Sequence, residues 1–317
     1  MIDPIGAIFG LGVALRNGLY DRQVLKSRKL ALPVVSIGNI SVGGSGKTPF
    51  VVALGNLLKE RGIEFDVLSR GYGRSSAEIA IVDPAGTPAE FGDEPLLITR
   101  KLGVPVVVGA DRYQAGLLAE AKLPSKLHLL DDGFQHRRLH RDFDIVMLPG
   151  SDLKGNLLPF GRLREPLGSL GRADAAVIGA DTRPPRQAKQ AKLVWRARRE
   201  IHFADSRAKT VAFCGIARPR QFFAGLKQLG MELVATVAFR DHHRYQQNDV
   251  NRLLRIKRQT GALEFITTEK DAINLGPLLA ELRTFRTATL DLELQAPETV
   301  IETLLRTVEE RIGRPLR

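Results

Sequence analysis

The sequence predicts an α/β protein built on an open, largely parallel sheet with helices on both faces. Three observations carry this. Short apolar runs rich in Val, Ile and Leu alternate with segments of helical periodicity from residue 33 onward. A glycine-rich octet falls between the first run and the first helical segment, and a later run ends in a pair of aspartates. Strands buried on both faces read as continuous apolar runs, which is the pattern of a parallel sheet covered by helices.

In the first half, strands are expected at 33–37, 65–69, 79–82, 104–108, 127–130, 144–148 and 175–178. Helices are expected at 49–61, where Pro49 sits in the first turn and Gly62 is the stop signal, and at about 94–102 and 112–122. The stretch 183–209 opens with Pro184-Pro185 and carries nine basic residues against two acidic ones. It reads as an interdomain connection that can hold a strand at 193–196, and a solvated basic surface accounts for its charge. A second α/β unit follows, with strands at 210–215, 233–239, 263–267 and 287–294 and helices at about 219–229, 248–259, 277–283 and 297–311. The organisation expected is therefore a lead-in (1–30), a nucleotide-binding core (31–182), a basic linker (183–209) and a smaller C-terminal α/β domain (210–317) that closes the active-site cleft.

Length and composition agree with two such domains. The chain has 317 residues, of which 44% are hydrophobic and 26% charged, enough to bury a real core. A single cysteine, Cys214, excludes an intrachain disulfide, fits a reducing compartment and reads as a small core residue. Lys and Arg total 47 against 35 Asp and Glu, a net charge of +12, so the partner is expected to be anionic: nucleic acid, a phosphorylated metabolite or an acidic bilayer. Aromatics are only 6%, with no RNA-binding aromatic signature or zinc-finger spacing, which argues against nucleic acid.

The N-terminus is apolar at Ile5, Ile8, Phe9, Leu11, Val13, Leu15 and Leu19 but lacks a basic leader and a small-residue cleavage site. Asp3 and Arg16 bracket twelve uncharged residues, too few to cross a bilayer. With Arg16, Arg22, Lys26, Arg28 and Lys29 following, the segment suits a helix lying in a membrane interface. A helix packed on the core fits equally well.

The chemistry is concentrated in a few motifs. Ser41-Val-Gly-Gly-Ser-Gly-Lys-Thr48 lies between a strand and a helix. A phosphate-binding loop needs glycines whose backbone amides can close around phosphate, a Lys for the β and γ oxygens, and a hydroxyl for Mg²⁺; Gly43, Gly44, Gly46, Lys47 and Thr48 supply them. Ser41 stands where the strict pattern has Gly. An apolar strand ending at Asp131-Asp132 puts carboxylates at the carboxyl edge of the sheet, where an Asp of a P-loop enzyme holds Mg²⁺. Asp93 reads as an N-cap, and a His brought close to it would let it serve as a general base. His140-Arg-Asp142 mimics a protein-kinase catalytic loop without that family's other elements. His136 and His140 at i, i+4 lack a third zinc ligand.

Nine motifs in order resemble those of the tetraacyldisaccharide 4′-kinases of lipid A biosynthesis. They are Gly38-Asn39 with Gly43-Gly-Ser-Gly-Lys-Thr-Pro49, Ser69-Arg-Gly-Tyr-Gly73, Gly92-Asp-Glu-Pro95, Gly109-Ala-Asp-Arg112, Asp131-Asp-Gly-Phe-Gln-His136, Gly161-Arg-Leu-Arg-Glu-Pro166, Phe213-Cys-Gly-Ile-Ala217, Asp241-His-His-Arg-Tyr245 and Thr267-Thr-Glu-Lys-Asp271. The resemblance spans about residues 34–271, and Ser41 matches the family's own pattern. It implies a P-loop NTPase-like fold and transfer of the ATP γ-phosphate to the 4′-hydroxyl of a tetraacylated, lipid-linked glucosamine disaccharide 1-phosphate. It further implies a peripheral protein on the anionic cytoplasmic face of the bacterial inner membrane. By motif, Gly43, Gly44, Ser45, Gly46, Lys47 and Thr48 would bind phosphate, with Arg112 and Arg164 stabilising its charge. Thr48, Asp131, Asp132 and Glu165 would hold Mg²⁺. Asp93 would be the base, with His242 rather than His243 as its charge partner and Lys47 as the other catalytic group. Asn39, Arg70, Tyr72, Gln135 and His136 would line the substrate side. The alternatives are a P-loop ATPase or GTPase switch, though an Asn-Lys-x-Asp guanine motif is absent, and a nucleic-acid-stimulated ATPase.

Overall fold

The computed structural model describes residues 4–150, 155–184, 186–204 and 206–316; Asp3 and Pro185 lie outside them. The chain opens with helix α1 (Pro4–Asp21), then β1 (Val34–Asn39), α2 (Lys47–Glu60), β2 (Phe65–Ser69), β3 (Ala80–Ile81), α3 (Pro88–Phe91), α4 (Asp93–Leu102), β4 (Val106–Val108), α5 (Arg112–Lys122), β5 (Leu127–Asp131), β6 (Phe143–Met147) and β7 (Ala175–Gly179). It continues through β8 (Leu193–His202), β9 (Thr210–Cys214), α6 (Pro219–Gln228), β10 (Leu233–Ala238), α7 (Gln247–Thr260), β11 (Glu264–Thr268), α8 (Glu269–Leu275), β12 (Phe285–Leu294) and α9 (Pro297–Ile312).

Among the described residues the strands form one twelve-stranded sheet, ordered β10-β9-β11-β12-β8-β7-β6-β1-β5-β2-β4-β3. Every pairing is parallel except β12 with β8 and β3 with β4. Strand β1 lies between β5 and β6 with all six residues buried, which is why it reads as an unbroken apolar run.

The stretch expected to be a linker is instead a structural seam. Strand β8 runs for ten residues, more than twice the expected span, and pairs with β7 on one side and β12 on the other. Its Arg198-Arg199-Glu200 run hides the period-two pattern in the sequence, although Trp195 and Ala197 are buried. Strand β12 pairs in parallel with β11 through Phe285–Ala288 and antiparallel with β8 beyond it, so it belongs to both halves. The chain end then returns to the first half. Val300, Ile301, Leu304, Leu305 and Val308 of α9 share one core with Val35, Ile37, Phe50 and Leu54. Each such side chain contributes about 2 kcal/mol on burial.

Smaller differences follow local rules. Helix α2 starts two residues earlier than expected, directly after Gly46 in the left-handed conformation. The 277–283 helix is a 3₁₀ turn over Gly276–Leu282, preceded by α8, which the sequence reading did not anticipate. Thr268 caps α8 by accepting the Asp271 amide.

Helix α1 is not simply core. Its inner side is anchored: Asn17 Nδ2 donates to Glu165 Oε2 (2.9 Å), and Tyr20 is buried beneath the Arg16 and Arg137 guanidinium groups. Its other side leaves Ile5, Ile8, Leu11 and Leu15 between 52% and 70% exposed, spaced three or four apart on one face. Among the described residues, no helix is long and apolar enough to cross a membrane.

Candidate active site

The glycine-rich loop bends between β1 and α2 at the centre of the sheet's carboxyl edge. Gly44 and Gly46 have φ of +64° and +91°, a region where a side chain is strained. A Cβ there would also approach within 2.9 Å of Arg218 Cγ and Arg199 Nη2 respectively. The loop is braced from outside. Arg199 Nη2 donates to the Ser45 carbonyl (2.6 Å), Arg162 Nη2 to the Val42 carbonyl (2.7 Å), and Asn39 Nδ2 to Ser45 Oγ (2.9 Å). Ser41 is fully buried in a bridge to Leu163, which accounts for a side chain where the strict pattern has none.

Strand β5 pairs with β1 so that Asp131 lies opposite Ile37, beside the loop. Lys47 Nζ is 3.3 Å from Asp132 Oδ1, and Arg164 Nη1 donates to Asp132 Oδ2 (3.0 Å). Burial opposes ionisation of Asp132, but Lys47 and Arg164 outweigh it and hold the carboxyl below its ordinary range. Asp131 behaves oppositely. Burial, with Glu94 and Asp132 nearby, pushes it up to about 7; Ser69 Oγ donates to Oδ2 (3.1 Å), and Oδ1 is buried without a hydrogen-bond partner among the described residues. Gln135 Nε2 donates to the Asn39 carbonyl (2.8 Å), linking the loop after β5 to the end of β1. Arg112 is buried, with Nη1 on the Ala110 carbonyl (2.7 Å), and burial together with Arg112 lowers His136 to about 4.

The other end of the site joins residues far apart in sequence. Asp93, at the start of α4, is only 4% exposed. His242 Nδ1 lies 3.0 Å from Asp93 Oδ2, Asn274 Nδ2 donates to the same oxygen (2.9 Å), and the Glu94 amide donates to Oδ1 (2.8 Å). Burial alone would raise Asp93; the His242 hydrogen bond, Lys270 and Asn274 reverse this and bring it down to about 2. Glu94, next to Asp93, contributes to the raised proton affinity of Asp131, so the two ends share one electrostatic field. His242 and Asp132 both have left-handed backbone (φ +57° and +53°), a strained conformation for residues with side chains and one that clusters at functional sites.

A family model described as tetraacyldisaccharide-1-P 4′-kinase matches residues 1–309. The chain belongs to this family. A relative from Koribacter versatilis named tetraacyldisaccharide 4′-kinase is 47% identical over 322 residues, covering 98% of this chain and 100% of the relative. A Geobacter metallireducens protein of the same name is 41% identical, covering 94% and 95%. The crystal structure of LpxK from Aquifex aeolicus in complex with ATP is similar with a TM-score of 0.78 at 34% identity, over 96% of this chain and 98% of that one. The fold is the P-loop NTPase-like α/β fold expected.

For a member of the 4′-kinase family, the expected site residues fall into three groups. Lys47, Asp132 and Arg164 are in direct contact, with Asn39 and Gln135 tied to the loop beside them. Asp93 and His242 form a pair, and the Tyr72 ring lies 4.9 Å from the His242 ring; His243 turns away to Asp249 (2.9 Å). Glu165 stands apart. Its Oε2 accepts from Asn17 and from Arg172 (both 2.9 Å), and among the described residues no three carboxylate, His or Cys side chains gather as a metal site. The expected three-carboxylate set is thus not gathered among the described residues, since Asn17 and Arg172 hold Glu165 through Oε2 under α1, although its Oε1 is buried without a hydrogen-bond partner among them. Arg70 is exposed; burial, with the Arg70 charge, lowers the pKa of Arg112. Sequence reasoning missed Lys270 and Asn274: Lys270 falls inside the Thr267–Asp271 motif, which names no chemistry for it, and Asn274 lies beyond any motif.

Proposed function

We propose that the chain transfers the γ-phosphate of ATP to the 4′-hydroxyl of a tetraacylated glucosamine disaccharide 1-phosphate, a step of lipid A biosynthesis. The observation that carries this reading is one sheet edge bearing both a braced phosphate loop and a buried Asp93–His242 pair, in a chain of the 4′-kinase family.

Phosphoryl transfer passes through a loose transition state, so the protein's task is positioning and charge neutralisation. The amides of residues 43–48 and the Lys47 ammonium hold the phosphates, with Arg112 and Arg164 neutralising oxygen charge. Asp132 positions Lys47, which it contacts directly. Asp93 accepts the acceptor hydroxyl's proton, and the His242 N–H and Asn274 amide fix the carboxylate's orientation. A carboxylate of low basicity suffices when the proton leaves late. Tyr72, 61% exposed and beside His242, contacts the sugar.

The donor set fits Mg²⁺ of the kind that shares its coordination with nucleotide phosphates and water rather than sitting in an all-protein cage. Asp131 Oδ1, buried and without a hydrogen-bond partner among the described residues, is an oxygen such an ion would satisfy. Thr48 and Asp131 would hold it, with Asp132 beside them. When bound, Mg²⁺ supplies charge neutralisation on the β and γ oxygens. The exposed stripe Ile5, Ile8, Leu11 and Leu15, followed by Arg16, Arg22, Lys26, Arg28 and Lys29 on a +12 chain, suits insertion into the interface of an anionic membrane, where the lipid acceptor resides. A cavity of about 400 Å³ lined by Arg16, Tyr20, Leu25, His136 and Arg138 lies at the foot of this helix. It connects the helix to the loop after β5.

The test is transfer of ³²P from [γ-³²P]ATP to the purified disaccharide 1-phosphate in mixed micelles. Label in the lipid fraction is the expected result. Release of inorganic phosphate alone, stimulated by nucleic acid or by nothing, contradicts the proposal.

A further inference from the structure

Helix α8 delivers a second charged group to the acceptor end. Lys270 Nζ lies 3.2 Å from His242 Nε2, 3.2 Å from Glu94 Oε1, 3.7 Å from Asp93 Oδ2 and 3.7 Å from Asp241 Oδ1. Burial opposes its charge, but Glu94, Asp93 and Asp241 more than compensate and raise its pKa, so the ammonium persists across the physiological range. An ammonium carries three hydrogens and no lone pair. At 3.2 Å it meets Nε2 only as a donor, so Nε2 is the acceptor and the ring proton sits on Nδ1, aimed at Asp93.

We propose that Lys270 is a positioning residue: by donating to His242 Nε2 it holds the imidazole as its neutral Nδ1–H tautomer and sets the pH at which the ring becomes charged. This rests on the reading of Asp93 as proton acceptor. Burial favours the neutral ring, Asp93 and Glu94 favour the charged one, and Lys270 opposes them; the balance lies above the ordinary histidine value. The groups facing the ring are Asp93 and Glu94 from α4, Asp241 beside it in sequence, Lys270 from α8 and the Tyr72 ring. A neutral Nδ1–H orients Asp93 and leaves it free to take a proton. An imidazolium would tie Asp93 into a full ion pair and would set an N–H against the Lys270 ammonium. The Thr267–Asp271 segment thereby gains a chemical reason: Thr268 and Asp271 cap and anchor α8, and Lys270 and Asn274 reach the base from it.

The experiment is side-chain ¹H–¹⁵N correlation on the full-length protein labelled at its 6 histidines, with His242→Gln assigning the signal. On the alkaline side of its own titration midpoint, wild-type His242 is expected to show a protonated Nδ1 and an unprotonated Nε2. The opposite tautomer overturns the proposal. In Lys270→Met the His242 midpoint is expected to rise by about one pH unit, and the acid limb of kcat to move with it. On the acid side of the wild-type midpoint that lowers kcat about tenfold with KM for ATP unchanged, and Lys270→Arg restores most of the loss. A midpoint that does not move also overturns it. Should Lys270→Met fail to fold, the wild-type tautomer decides alone. Wild-type kcat in Asp93→Asn would remove the base reading, while the tautomer and midpoint would still judge Lys270.

Discussion

The two ends of the site are built differently. At the phosphate end, consecutive residues do most of the work. Residues 43–48 form the loop, β1 and β5 are neighbours in the sheet, and Lys47 meets Asp132 across it. At the acceptor end, Asp93 is held by His242 and Asn274, 149 and 181 residues away in sequence. The first end is a local backbone device, braced from β8 by Arg199. The second exists only while α4 and α8 keep their packing across the β8–β12 seam.

This contrast can be broken by substitution. Lys47→Ala removes the charge that meets phosphate and leaves Asp132 paired with Arg164, so kcat/KM is expected to fall about 10³-fold in the transfer assay with the melting temperature little changed. His242→Ala is expected to lower kcat about 10²-fold without changing KM for ATP, whereas His243→Ala, which loses only the contact to Asp249, stays within a few-fold of wild type. Equal losses in the two histidine variants would erase the assignment.

Acid sharpens the comparison through stability. The carboxyl of Asp93 lies near 2 in the folded chain against an ordinary 3.8. Because the folded value is depressed, its contacts stabilise the fold fully above the unfolded pKa, by about 2 kcal/mol, and that contribution is lost as pH falls from about 4 through about 2. Asn274→Ala and His242→Ala should flatten the slope of unfolding free energy against pH in that window, whereas Lys47→Ala should remove only the separate acid-sensitive contribution of Asp132. The smallest effect is expected at α1. Leu11→Ser with Leu15→Ser should lower binding to anionic vesicles several-fold while soluble-substrate turnover stays unchanged. Unchanged flotation would remove the helix from membrane contact.

The same contrast governed what could be read from sequence. The loop and the Asp131-Asp132 strand tip were legible because their residues are adjacent in the chain and sit at a strand–helix junction. Most strands of the first half were legible because burial on both faces leaves continuous apolar runs. The full length of strand β8 is hidden in the sequence because the charged run Arg198-Arg199-Glu200 interrupts its apolar pattern, with Arg198 and Arg199 exposed. The return of α9 into the first core could not be seen, since an amphipathic helix does not say which sheet covers it. Lys270 was invisible for the reason that makes it informative: its partners come from α4 and from the 241–242 turn, and nothing local distinguishes it from a surface lysine.

The division of labour is tested most directly by Asp93→Asn in one paired measurement: ATP affinity by calorimetry and single-turnover transfer of ³²P to the lipid acceptor. ATP is expected to bind within about twofold of wild type while the transfer rate falls about 10³-fold. A folded Asp93→Asn protein that transfers phosphate at the wild-type rate, or that no longer binds ATP, would contradict it.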